Sequence, residues 1–82
     1  MAFSLTQQLQ SLGVATQLGA EIQRQLGGTG NRNRLMEAGL PEGPAQTLAT
    51  GITAKSVSAV TLTRQGVVPD VAKIVAAAVA AS

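Results

Sequence analysis

Three stretches of the chain repeat one pattern around a glycine. "LQSLGVATQLGAEI" starts at Leu9, "LMEAGLPEGPAQTL" at Leu35 and "LTRQGVVPDVAKIV" at Leu62. Aligned on Gly13, Gly39 and Gly66, they are 26 and 27 residues apart. A leucine lies four positions before each glycine (Leu9, Leu35, Leu62). An apolar residue follows it directly (Val14, Leu40, Val67). A small residue comes six after (Gly19, Ala45, Ala72), and larger apolar residues come nine after (Ile22, Leu48, Val75) and thirteen after (Leu26, Ile52, Val79). A fixed period of this length signals repeated supersecondary units that bury their apolar faces against each other.

Each unit reads as a short helix, a glycine turn and a second helix. Leu5, Leu9 and Leu12 have helical spacing, and Ser4 with Gln7 has the form of a capping box. Gly13, Gly39 and Gly66 are expected to end the first helix of each unit with positive φ, where a side chain is strained. In the first unit Leu18, Gly19, Ile22 and Leu26 form one stripe on the second helix. Pro41 or Pro44, and Pro69, mark later second-helix starts, because a missing N–H is tolerated there. The small residue six after each glycine lets two helices cross closely. "SVSAVTL" alternates like a strand but is read as helix, because Leu62 then matches Leu9 and Leu35. The expected fold is all-α: three tandem helix–Gly-turn–helix units in one small helical array, at about 4–27, 31–53 and 57–81.

The expected core is Leu9, Val14, Ile22, Leu35, Leu48, Leu62 and Val75. It is built from small apolar side chains, with Phe3 the one aromatic residue. A thin core in 82 residues predicts marginal stability and a need for a partner. The C-terminal stretch from Pro69 is apolar all round, apart from Asp70 and Lys73. Such a helix is normally buried on all sides. Residues 69–81 are therefore expected to meet another protein chain, through Val71, Ile74, Val75, Ala78 and Val79.

The residue stock argues against catalysis. There is no histidine and no cysteine, so the commonest general base and thiolate ligands are both missing. The four carboxylates, Glu21, Glu37, Glu42 and Asp70, do not recur in the repeat. "GGTGN" at 27–31 lacks the lysine of a phosphate loop and no expected strand precedes it. It reads, with the residues after it, as a flexible loop. No enzyme activity, metal or cofactor is expected. The charges total +2. Only "NRNR" at 31–34 is locally basic, and it reads as a solvated linker, with a phosphate patch as the alternative. No stretch has the form of a signal peptide or of a span of about 20 apolar residues.

Residues 35–50, "LMEAGLPEGPAQTLAT", resemble a ubiquitin-associated domain. The loop is Ala38-Gly39-Leu40 where such domains carry an aromatic or Met-Gly-Phe-like loop, and they have three helices in one unit. "LQSLGVATQLGAEIQRQL" followed by "GTGNRNRL" is similar to tandem units in small helical proteins of tailed-bacteriophage virions, and this resemblance extends over nearly the whole chain. It implies a structural role in capsid decoration, a head-fibre base or head–tail attachment. The partners implied are capsid or tail proteins or further copies of this chain, in a virion made in the host cytoplasm. No functional residue is carried across. The alternatives are a generic protein-binding adaptor, a small nucleic-acid-binding helical protein and a membrane-active peptide of the circular bacteriocin kind.

Overall fold

The computed structural model describes residues 5–82. The described chain is helical, with no strand. Its helices are α1 (Leu5–Ser11), α2 (Thr16–Leu26), α3 (Arg32–Glu37), α4 (Glu42–Ala54), α5 (Ala59–Arg64) and α6 (Pro69–Ala81). They form three pairs, α1 with α2, α3 with α4, and α5 with α6. Each helix also packs on the next along the chain, and α6 returns to pack on α1. The three units thus close into a ring around one core. None of these helices is long enough to persist alone in water, so the packing holds them.

The three turns share one geometry. Gly13, Gly39 and Gly66 have φ of +92°, +116° and +99°. The next residue sends its N–H back to the leucine carbonyl: Val14 to Leu9, Leu40 to Leu35 and Val67 to Leu62, each at 3.0 Å. The glycine N–H groups bond to Gln10, Met36 and Thr63. This is the Schellman end of a helix, which satisfies carbonyls that would otherwise be left open. Ala15, Pro41 and Val68 then take the same extended conformation before the second helix, with φ between −59° and −55°. Pro41 is therefore the residue before α4, and Pro44 sits inside its first turn. Pro69 opens α6 as expected. The first helices of the later units are capped by side chains. Asn31 Oδ1 accepts from the Arg34 N–H and Ser58 Oγ from the Thr61 N–H. Ser58 also ends the ambiguous "SVSAVTL" stretch as a strand candidate, because helix begins right after it. The capping box at Ser4 lies outside the described residues, as does Phe3.

The core contains the leucines before the glycines (Leu9, Leu35, Leu62) and the residues nine after (Ile22, Leu48, Val75), all buried. Ala45 and Ala72 are wholly buried, and Gly19 occupies the equivalent position. A Cβ placed on Gly19 would meet Thr6 of α1 at 3.5 Å, ordinary contact distance. Val14 differs from expectation. It is half-buried, like Leu40 and Val67. The residue after the glycine lies at the end of the core, where its backbone closes the cap and its side chain faces the turns.

The glycine-rich connection from α2 to α3 is tied down rather than loose. Gln25, only 2% exposed, brackets Asn31. Its Oε1 accepts from the Asn31 N–H at 2.8 Å and its Nε2 donates to the Asn31 carbonyl at 3.2 Å. Gly30 lies against the backbone of α4, where an added Cβ would overlap the Ala49 carbonyl. Its N–H bonds Thr53 Oγ1. The "NRNR" stretch is likewise no linker: Asn31 caps α3, and Arg32, Asn33 and Arg34 form its first turn with exposed side chains.

Candidate interaction surface

The ring closes where α6 meets α1, and among the described residues this joint carries largely apolar hollows. α1 has 7 residues and α6 has 13. Two adjoining hollows of about 310 and 400 Å³ run along the joint and share Gln8 and Ile74. Leu5, Gln7 and Ser11 line it from α1 and Leu12 from the turn that follows; Ile74, Ala77 and Ala78 line it from α6. Positions 5 and 8 share one face of α1, and positions 74, 77 and 78 share one face of α6. Lys73 stands at the rim as the one charged side chain among the lining residues.

The five residues of α6 expected to meet a partner divide. Val71, Val75 and Val79 are 8%, 2% and 0% exposed within the chain. Val75 and Val79 are closed off in the core of their own ring, while Val71 also borders a hollow between the turns. α6 packs against both α5 and α1, which buries one side of it, while Ala77, Ala80 and Ala81 stay exposed. Ile74 and Ala78 are half-exposed and face the groove. The groove adds Leu5 and Leu12, which the sequence places at helical spacing with no surface role, and Gln8, which the sequence does not single out. Leu12 is the signal that could have found it: it ends the apolar spacing of α1, yet it stands outside the repeated core positions.

Elsewhere the polar groups serve the fold. Glu21 accepts hydrogen bonds from Arg24 and Gln25. The Arg24 bond, then the Gln25 bond, hold its carboxyl below the usual range against a smaller opposing effect of burial, and the charge of Arg34 adds to this. Arg24 and Arg34 are therefore partly answered from within the chain, and the Arg32 guanidinium bonds Asn33 Oδ1 at 3.2 Å. Among the described residues no group of acidic, histidine or cysteine side chains is placed to hold a metal ion. No described helix is long and apolar enough to cross a membrane. Comparison with protein-family models, with curated proteins and with solved structures gives no match.

Proposed function

We propose that this protein is a non-enzymatic structural module that binds another protein through the α1–α6 groove. The observation that carries the reading is the groove itself: Leu5, Leu12, Ile74 and Ala78 present apolar surface where α1 and its turn meet α6, with polar Gln7, Gln8, Ser11 and Lys73 set among them. An amphipathic segment laid in such a groove covers apolar surface that water otherwise meets. The non-enzymatic part rests on the residue stock, which lacks histidine and cysteine. The setting we propose is a bacteriophage virion, supported by the resemblance of the tandem units. There, multicopy assembly supplies partner surface to a small chain.

Site-specific photocrosslinking in the native cells tests the groove. A crosslinker at position 74 is expected to capture one protein species, and one at position 63, on exposed α5 surface, is expected to capture none. Equal capture from both positions overturns the reading. Sedimentation of the full-length chain with virion-sized particles tests the setting. Ile74→Asp should abolish it while leaving the helical circular dichroism unchanged.

A further inference from the structure

The joints between units are of one kind. The second helix of a unit meets the first helix of the next: α2 on α3, α4 on α5, and α6 on α1. The first two joints are also connected by chain, whereas the third is held by packing alone. A unit that leaves the ring can therefore be replaced, joint for joint, by the same unit of a second copy. The surfaces that receive it are those already seated against each other in this structure. Such an exchange needs one connection to straighten.

The connection after α2 is tied down, because Gln25 brackets Asn31 and Gly30 lies against α4. The connection after α4 is built differently. Lys55 ends α4 in the left-handed region, with φ of 62° and ψ of 31°. The Lys55 N–H bonds the Ile52 carbonyl and the Ser56 N–H bonds the Gly51 carbonyl. The chain thus folds back over Gly51, where a Cβ would overlap Val57. Gly13, Gly39 and Gly66 take positive φ without a side chain; at Lys55 a side chain bears the strain. The strain is released when Lys55 turns right-handed, and nothing in the sequence then stops the helix. Residues 52–65 contain no glycine and no proline. α4 and α5 become one helix over residues 42–64, which carries the α5–α6 unit away from its own ring. A short, strained hinge invites this kind of exchange.

A second observation lies beside the hinge. Val60 is 60% exposed, the most exposed large apolar side chain among the described residues. In a continuous helix it stands three residues from Val57, on one face. That face lies where two such helices, one from each copy, cross as an antiparallel pair. We infer that a second copy of this chain is a partner, and that the two copies exchange their α5–α6 units through a hinge at residues 55–58. The product is a twofold dimer of two complete rings. Every joint of the ring is kept in it. What changes is Lys55, which loses its strain, and Val60, which is covered. The inference stands apart from the groove reading, because each ring of the dimer retains its α1–α6 groove.

The test is refolding of the full chain from urea at about 1 mM, where a second molecule competes with a unit held by a short tether. Sedimentation velocity is expected to show a dimer, and refolding at high dilution a monomer. Dimers refolded from an equal mixture of isotope-labelled and unlabelled copies should show methyl contacts between α1 of one copy and α6 of the other in isotope-filtered NMR. The backbone shifts of residues 55–58 should become helical in the dimer. Lys55→Gly removes the strain and weakens the fused helix, so it should raise the dimer dissociation constant by about tenfold or more. Lys55→Ala keeps the strain and should not weaken the dimer. Val60→Asp should weaken it while leaving the unfolding midpoint of the monomer unchanged. A chain that stays monomeric overturns the inference. So does a dimer whose α1–α6 contacts remain within one copy, or one that Lys55→Gly leaves equally tight.

Discussion

The backbone N–H of Val14 donates to the carbonyl of Leu9 at 3.0 Å, and the Leu9 side chain is wholly buried. One residue therefore anchors the core and ends its helix. Leu35 with Leu40, and Leu62 with Val67, repeat the relationship at the same distance. Core packing and helix termination are coupled in each unit, and this coupling positions the residue after each glycine at the turn hollow.

Gly39 has φ of +116° and nothing within 4 Å of where a Cβ would stand. Its requirement is conformational, not spatial. Gly39→Ala should destabilise by about 1 kcal/mol, and Gly39→Val by more, because the branched side chain is more strained there. Urea denaturation measures both; an unchanged midpoint in both would contradict the cap geometry.

Gly19 is the opposite case. It lies inside α2 with ordinary φ, and a Cβ would make normal contact with Thr6. The other units carry Ala45 and Ala72 at this position. Gly19→Ala should raise stability by about 0.5–1 kcal/mol, through helix propensity and reduced freedom of the unfolded chain. Thermal unfolding at fixed protein concentration reads the gain.

Gly28 and Gly30 are close in sequence but differ in demand. A Cβ on Gly28 meets nothing within 4 Å, while one on Gly30 would overlap the Ala49 backbone. Gly30→Ala should cost about 3 kcal/mol by forcing α4 away from the loop. Gly28→Ala should change stability by about 0.5 kcal/mol at most. Parallel denaturation curves of the two variants make the comparison.

Gln25 is the buried polar side chain that ties α2 to the start of α3. Gln25→Ala removes the acceptor of the Asn31 N–H and one donor to Glu21. A loss of about 1–2 kcal/mol is expected. Amide exchange at Asn31 should accelerate, and an unchanged rate would show that the bracket does not hold the loop.

The lowered pKa of Glu21 gives a pH dependence of known direction. Its carboxylate binds protons less readily in the folded state than in the unfolded chain. The stabilisation is present above the ordinary carboxylate pKa and is lost as pH falls through the depressed folded value. Arg24 is exposed, which keeps the effect small. Glu21→Gln should flatten the acid limb of stability between neutral pH and about pH 3 without altering the fold. Chemical denaturation across that range checks it.

The repeat by itself determined the six helices, the three left-handed glycines and the buried leucines. These are local or periodic properties: a positive φ demands glycine, and a helical face demands apolar spacing. Only the tertiary structure decided which apolar residues remain available. The repeat register already puts Val75 in the core, but only the return of α6 to α1 sets Ile74 beside Gln8 and Leu12 in the groove. Gly30 and Gly28 are indistinguishable in the sequence, yet only one touches α4. Such differences depend on which surfaces meet across the ring, and no spacing within one unit records that α6 returns to α1. The hollow between the turns is of the same kind. Each unit carries part of its wall, and the hollow exists only once all three are brought together.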